Sequence, residues 1–350
     1  MEEQKDTIGL LDMIVRPVFC VKENTIVRLN QAARQLFLSE GTDIGPLLRT
    51  GAEEYAAFAG GCLYLTLEHA GVTFGASVSR MEDMDVFLLD SETDDGELRA
   101  LALAARELRE PLSGVMTSAA RLPATDDPAA RAYAARLNRG LHQLLRIIGN
   151  MSDAGSASLS FMELRNIGDV FTEICEKAGA LLSRAGITMT YENLKEEILC
   201  QADAAQLERA VLNLLSNAAK FTPKGGTVHL TLTRRGKMLR LGIRDSGSGI
   251  GDDILHSLYS RYLRQPGLGD SRQGIGLGML LIRKAAAAHG GTVLVHQPDG
   301  CGTRITVTLA IRQDTGGQLR SSRLTVDRSG GFDPFLVELA DILPDSLYEN

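Results

Sequence analysis

Cysteine is scarce in this sequence, and long apolar runs are missing. The five cysteines form no CxxC pair and no metal-ligand spacing, so we expect reduced core thiols rather than a disulfide framework or a zinc site. No apolar run is long enough to cross a membrane, and the amino terminus MEEQKDTIGL is too acidic for a signal peptide. These absences predict a cytoplasmic protein with no membrane span.

Excess positive charge is missing as well. The chain has 37 lysines and arginines against 44 aspartates and glutamates, which gives a formal net charge of -7. Because duplex binding needs clustered basic charge, nucleic acid is not expected to be the main partner. With 350 residues, 44% of them hydrophobic, the chain can bury the cores of two or three domains.

One stretch combines an apolar stripe with polar side chains at helical spacing. The segment LERAVLNLLSNAAK, residues 207–220, repeats apolar residues at intervals of three and four, which predicts an amphipathic helix. Asn213, Asn217 and Lys220 are four and three residues apart and so lie on neighbouring turns. An amide oxygen can bind a hard cation and an ammonium can bind a phosphate. Taken alone, the pattern is also typical of a solvated helix face.

Two glycine-rich stretches follow this helix. DSGSGI, residues 245–250, comes after the alternating run MLRLGI and indicates a strand that ends in a turn open to a ligand. GIGLGM, residues 274–279, precedes an apolar helix over 280–288. A glycine-rich turn before a helix favours phosphate, because backbone amides and the helix dipole both attract an anion. The spacing is not that of a dinucleotide-binding fingerprint.

Together these stretches carry a resemblance to a known family. NLLSNAAKFTPKGG, DSGSGI and GIGLGM followed by AHGGTV resemble the asparagine and glycine boxes of the ATP-binding domain of sensor histidine kinases, in the superfamily of gyrase, Hsp90 and MutL. The resemblance implies a Bergerat-type α/β sandwich, with a mixed sheet and helices on one face, that binds ATP and Mg²⁺. We assign this ATP-binding domain to residues 160–312.

The resemblance also implies roles for the matching residues. Asp245 would accept the amino group of adenine, Asn217 would give an oxygen to Mg²⁺ with Asn213 close by, and Lys220 would meet phosphate. The glycines implied in close approach to the base, in the lid hinge and in the phosphate site are Gly247, Gly249, Gly274, Gly276 and Gly278.

A lid over the nucleotide is implied between the two glycine stretches. Its segment LYSRYLR resembles the aromatic box of the family, with Tyr259 and Tyr262 in place of two phenylalanines. Arg272 is a candidate contact of the γ-phosphate, although an arginine on a loop is more often solvated.

The first 92 residues predict a sensory domain. Two short β-like runs flank Glu23 and Asn24, a helix begins at Asn30 and extends to Phe37, and three more alternating runs follow. This order resembles a PAS domain. A compact dimerising α/β module explains the pattern equally well.

Residues 96–153 predict a helical hairpin around the loop PATDDP. Because two helices cannot bury both faces of such an apolar stripe, we expect a second copy to complete a four-helix bundle in a homodimer. The predicted seam is Leu98, Leu101, Ala105, Leu108, Leu112, Val115, Ala119 and Leu122 on the first helix, and Ala130, Ala134, Leu137, Leu141, Leu144, Ile148 and Met151 on the second.

Within this hairpin, ARELREPL resembles the histidine box SHELRTPL of the family. Arg106 stands at the phosphoacceptor position, the acid Glu107 is retained, and Glu110 replaces the usual Thr or Asn. Autophosphorylation needs a neutral imidazole nitrogen as its nucleophile. A guanidinium stays protonated and has no free lone pair, so self-phosphorylation at this position is not expected.

Two functions from different classes follow. The first is a pseudokinase, an ATP-responsive dimeric scaffold that a response regulator or another histidine kinase would read. The second is an active phosphotransferase that uses a noncanonical acceptor such as His142 or phosphorylates a partner protein. A response-regulator phosphatase is a third, because Glu110 stands where the family positions the attacking water.

The last stretch, residues 313–350, predicts a polar linker and a short C-terminal helix. Apolar residues at helical spacing between Phe332 and Leu347 favour docking of this helix on its own chain.

Overall fold

The computed structural model shows an N-terminal α/β unit, a helical hairpin, a larger α/β unit and a docked C-terminal segment. It describes residues 11, 14–81, 83–90, 92–121, 126–155, 161–194, 196–250, 277–298, 301–312 and 332–349. No helix in these ranges is long and apolar enough to cross a bilayer.

The N-terminal unit is an antiparallel sheet with two short helices. Its elements are β1 (Val18–Lys22), β2 (Thr25–Leu29), α1 (Gln31–Gln35), β3 (Leu48–Thr50), α2 (Ala52–Ala56), β4 (Cys62–His69), β5 (Val72–Met81) and β6 (Met84–Leu89). The strand order is β2-β1-β6-β5-β4, and β3 pairs with β4. The start of α1 is as predicted, because the Asn30 side chain caps it by accepting the N–H of Ala33 at 2.9 Å. The helix ends earlier than predicted, since Phe37 takes a φ of 62°.

The hairpin consists of α3 (Glu92–Ala120) and α4 (Pro128–Gly155). Pro111 lies inside α3 without ending it. The two predicted helices are present, and part of the predicted seam is exposed in the single chain. Leu108, Val115, Leu137 and Leu144 are about half exposed, and Met116 is buried in the hairpin core. A three-and-four pattern marks a wider stripe than one partner helix can cover, so part of it stays on the surface.

The larger unit begins with a small two-stranded sheet and continues with a five-stranded mixed one. Its elements are β7 (Glu163–Asn166), α5 (Ile167–Arg184), β8 (Thr188–Glu192), β9 (Leu199–Ala202), α6 (Ala204–Phe221), β10 (Thr227–Arg235), β11 (Met238–Asp245), α7 (Leu277–Ala288), β12 (Val293–His296) and β13 (Arg304–Ala310). The order is β12-β13-β11-β10-β8, with β8 parallel to β10 and the other pairs antiparallel. This is the mixed sheet that the sequence predicts.

Helices α5 and α6 pack apolar faces into the core of the larger unit, and that of α6 is the predicted one. Helix α6 begins where the Asp203 side chain accepts the N–H of Gln206 at 3.0 Å. Every residue of the predicted α6 stripe is buried in the core of the larger unit: Leu207, Ala210, Val211, Leu214, Leu215 and Ala218. Four cysteines are buried as expected, whereas Cys301 is exposed in the turn before β13.

The two α/β units share one continuous sheet. Strand β4 pairs with β12 in antiparallel register, with Tyr64 opposite Val293 and Cys62 opposite Val295. The buried Arg283 of α7 lies beside this junction and donates to both carboxylate oxygens of Asp90, at 2.7 and 2.6 Å. Its guanidinium also lies 3.9 Å from the centre of the Tyr64 ring. A buried cation therefore connects the larger unit to the N-terminal one.

The C-terminal segment, residues 332–349, docks on its own chain, as predicted. It contains a short helix α8 (Pro334–Glu338) and a 3₁₀ turn (Asp345–Tyr348) instead of one helix up to Leu347. Pro344 lies between them in an extended conformation and has no N–H to continue a helix.

Candidate nucleotide-binding site

Helix α6 holds Asn213 against the start of α7. Asn213 is fully buried, and its Nδ2 donates to the carbonyl oxygen of Arg209 at 3.0 Å. Its Oδ1 has no hydrogen-bond partner among the described residues. An orphaned buried oxygen is costly, and a bound cation or an ordered water would satisfy it. Asn217 and Lys220, on the next turns, are partly buried.

Close approach of α7 to α6 depends on a glycine. Gly278 lies in the first turn of α7, and a Cβ added there would lie 2.7 Å from Oδ1 of Asn213. The structure therefore places Gly278 against the asparagine side chain.

Asp245 ends β11 and is fixed by backbone donors. It is 7% exposed, and its Oδ1 accepts the N–H groups of Gly247 at 2.9 Å and Thr303 at 3.1 Å. Burial raises the pKa of the Asp245 carboxyl above its usual value, and the two N–H groups oppose that rise. Gly249, further along the turn, has a φ of +79° that glycine adopts without strain.

This turn lies against the end of α6. A Cβ at Gly247 would lie 2.5 Å from the carbonyl oxygen of Phe221, the last residue of α6. Gly247 contacts Phe221, and Gly278 contacts Asn213. The described parts of the asparagine stretch and of the two glycine-rich stretches thus come together around α6. The remaining predicted residues, Tyr259, Tyr262, Arg272, Gly274 and Gly276, lie outside the described residues.

The predicted hairpin residues occupy a different surface. Arg106, Glu107 and Glu110 are exposed on α3. Arg106 lines an open cleft of about 580 Å³ together with Arg99 and Arg109.

His142 of α4 is enclosed by aromatic rings. Its Nδ1 lies 2.8 Å from the carbonyl oxygen of Asn138. The rings of Phe332 and Tyr348 pack edge-on against the imidazole, with centroid distances of 5.5 and 4.9 Å. This is the environment of a structural histidine.

Two residues near the site have no counterpart among the sequence predictions. Arg209 lies one turn before Asn213, forms an ion pair with Asp153 and donates to Oδ1 of Asn150 at 2.8 Å, so it joins α6 to α4. Its spacing of four from Asn213 is the signal that could have found it. Thr303 fixes Asp245 through its backbone N–H, and no sequence motif marks it.

The donor set fits a nucleotide with a hard divalent cation. The orphaned amide oxygen of Asn213, the amide of Asn217, the ammonium of Lys220 and the carboxylate of Asp245 supply oxygen ligands, a cation and an acceptor around one helix. Amide oxygens are suitable ligands for Mg²⁺, and an ammonium is a suitable partner for phosphate.

Comparison with known proteins defines the class. Residues 202–313 match the family model described as histidine kinase-, DNA gyrase B-, and HSP90-like ATPase. The chain thus contains a histidine-kinase-type ATPase domain in a mixed α/β fold.

Its homologues are sensor histidine kinases of two-component signalling. Histidine protein kinase DivJ of Caulobacter vibrioides is 32% identical over 255 residues, which are 69% of this chain and 42% of DivJ. An uncharacterized sensor-like histidine kinase of Rhizobium meliloti is 29% identical over 262 residues, 71% of this chain and 49% of the relative. The chain thus spans less than half the length of both relatives. Among solved structures, full-length ShkA in complex with AMPPNP is 24% identical with a TM-score of 0.49, over 61% of this chain and 46% of ShkA.

Proposed function

We propose that this chain is an ATP-binding, histidine-kinase-like pseudokinase that acts as a dimeric scaffold in two-component signalling. The observation that carries the proposal is the contrast between two sites. The described candidate residues for nucleotide come together around α6, whereas Arg106 stands on α3 where the resemblance implies a phosphoacceptor histidine.

In this proposal, the four candidate residues on and beside α6 each have a role in nucleotide binding. Asn217 supplies an oxygen to Mg²⁺ with Asn213 beside it, and Lys220 contacts phosphate. The Asp245 carboxylate, whose Oδ1 is fixed by two N–H groups, accepts the amino group of adenine. When bound, Mg²⁺ neutralises part of the negative charge of the phosphates.

The hairpin is the part where catalysis fails in this proposal. Arg106 cannot act as a nucleophile, so Glu107 has no neighbouring imidazole to orient. His142 is a poor substitute, because its Nδ1 is engaged by Asn138 and its ring is packed between Phe332 and Tyr348. The second candidate is a kinase that phosphorylates a partner protein, which the described ATP-site residues favour. A phosphatase role would use the exposed Glu110.

A sensory input and a second copy complete the proposed scaffold. The strand order β2-β1-β6-β5-β4 supports a PAS-like sensory domain at the N-terminus. Exposed apolar residues support a homodimer that closes a four-helix bundle; they are Leu103, Leu108 and Val115 on α3, and Tyr133, Leu137, Leu144 and Ile147 on α4. The proposed reader of this dimer is a response regulator or another histidine kinase.

The test is incubation of the full chain with γ-labelled ATP and Mg²⁺, beside the variants Arg106→His and Asn217→Ala. We expect no label on the parent and acid-labile label on Arg106→His, because only the acceptor is missing. The double variant Arg106→His/Asn217→Ala is the control and should lose that label. Asn217-dependent label on the parent itself would contradict the pseudokinase, and its stability to acid would separate a hydroxyl acceptor from a histidine.

A further inference from the structure

The docked segment 332–349, here called the tail, is anchored by apolar side chains. Phe335, Leu339 and Leu343 are buried in the same core as helices α5 and α6. The Tyr348 hydroxyl donates to the carbonyl oxygen of Leu336 at 2.7 Å and thereby closes the tail on itself. The tail is therefore an integral part of the described fold.

Several cations contact the tail, and we call four of them the cationic groove: Arg139 and Arg146 of α4, and Arg209 and Lys220 of α6. Glu338 is 4% exposed, with Nε of Arg146 at 3.3 Å and Nε of Arg209 at 3.4 Å from its carboxylate. A buried carboxylate is stable only with such partners, so Glu338 ties the hairpin and the larger unit together.

A second carboxylate of the tail reaches the nucleotide face. Asp341 forms an ion pair with Arg146, and its Oδ2 lies 3.7 Å from Nζ of Lys220. Arg139 donates to the backbone carbonyls of Ala340 and Asp341 at 2.8 and 3.0 Å, which fixes this stretch of the tail.

Helical geometry puts these contacts on the face that carries the asparagines. Arg209 and Lys220 are eleven residues apart, which is about three turns of α helix, so both lie on one face. Asn213 and Asn217 lie between them on neighbouring turns. The tail therefore engages the cations at both ends of the nucleotide-binding face.

We propose that the tail is an acidic internal ligand of the cationic groove, which clamps the larger unit on α4 and competes with nucleotide phosphate for Lys220. The proposal rests on the proposed function of Lys220 in ATP binding. Because coupling between two ligands is reciprocal, nucleotide loosens the tail by the same factor by which the tail weakens nucleotide binding. Nucleotide binding thus weakens the contacts between the tail and helix α4 of the hairpin.

The test measures nucleotide affinity and tail protection in the full chain. Asp341→Asn preserves the size of the side chain and removes its charge, and it leaves the buried apolar anchors in place. We expect this variant to bind a fluorescent ATP analogue with Mg²⁺ about fivefold more tightly than the parent, at the low end of typical coupling between sites. In the parent, saturating nucleotide should speed amide hydrogen exchange in residues 332–349.

The matched control is Glu349→Gln, which removes the same charge from an exposed position of the tail. Its nucleotide affinity should equal that of the parent. If the parent and Asp341→Asn bind nucleotide with equal affinity, and nucleotide does not change amide hydrogen exchange in the tail, the proposed competition is wrong. ATP binding itself would still stand. If the parent and both variants fail to bind, the proposed ATP site is wrong and the competition falls with it.

Discussion

The two helices that carry the predicted functional residues, α6 and α3, hold them in opposite ways. On α6, Asn213 is fully buried against the start of α7, and the end of the helix lies against the turn that fixes Asp245. On α3, Arg106, Glu107 and Glu110 are exposed. One copy of the chain therefore brings the candidate nucleotide-binding residues together, whereas the candidate residues of the hairpin lie on an open surface.

In the proposed function, the buried residues of α6 bind nucleotide and the exposed residues of α3 contact a partner protein. A preorganised site on packed helices pays little ordering cost when its ligand arrives. An exposed helix face gains its function from a partner, because exposed charges alone contribute little energy.

The largest expected effect is on α6. Mutation of a residue that only supports a metal ligand lowers metal affinity by roughly 10–100-fold. Asn217→Ala removes a proposed ligand oxygen itself, so the affinity for nucleotide with Mg²⁺ should fall by at least that much. Titration with a fluorescent ATP analogue and Mg²⁺ measures the change. Asn217→Asp retains an oxygen ligand and should recover part of the affinity. Arg106→Ala on α3 is the matched control and should bind like the parent; equal losses in both would break the comparison.

A smaller effect is expected where α3 and α4 expose apolar residues. Leu137→Glu places a charge in the proposed dimer interface and loses the burial of a leucine, worth about 1.5–3 kcal/mol. The dimer dissociation constant should rise by roughly 10–100-fold, as measured by sedimentation equilibrium. Arg131→Glu changes charge at another exposed position of α4 and should leave the constant unaltered. A parent chain that stays monomeric at high concentration would refute the homodimer.

The smallest effect concerns a partly buried acid of α6. Burial, which is the main cause, raises the pKa of Glu208 from its ordinary value of 4.5 to about 7. Lys177 opposes the rise, whereas Glu173, Asp333 and Glu338 add to it. The folded chain thus holds this proton more tightly than the unfolded chain does. Its contribution to stability is fully present below about pH 4.5 and is lost as the pH rises through about 7.

Glu208→Gln removes that loss. At about pH 8 its free energy of unfolding should exceed that of the parent by roughly 1–2 kcal/mol, and the difference should shrink toward about pH 5. Urea unfolding at several pH values measures both. Glu176→Gln, at an exposed position of α5, is the control and should follow the parent throughout. The same difference at all pH values would exclude titration of Glu208 as the cause.

The sequence predicts the elements of the larger unit well, because local signals agree there. Asp203 caps α6, and the apolar stripe of α6 has helical period. The glycine-bearing turn after β11 also lies beside α6, as the resemblance implies. In each case the residues that determine the local structure lie within the same short stretch of sequence.

Three features could not be predicted from local pattern. The period of the hairpin stripe does not tell which residues pack within one chain: Met116 is buried, whereas Leu108 and Val115 are half exposed. The ion pairs of Glu338 with Arg146 and Arg209 join residues more than one hundred positions apart, and no spacing rule covers them. The sequences of β4 and β12 contain no signal for their pairing, because any apolar strand can pair with another.

That strand pairing has a consequence for solubility. Val293 and Val295 of β12 are fully buried, and β4 covers the hydrogen-bonding edge that a strand at the end of a sheet would otherwise offer to other molecules. If the larger unit were cut free, its β12 edge would become a template for strand addition by a neighbouring chain. The N-terminal unit therefore covers an edge of the ATPase domain that would otherwise be open to strand addition.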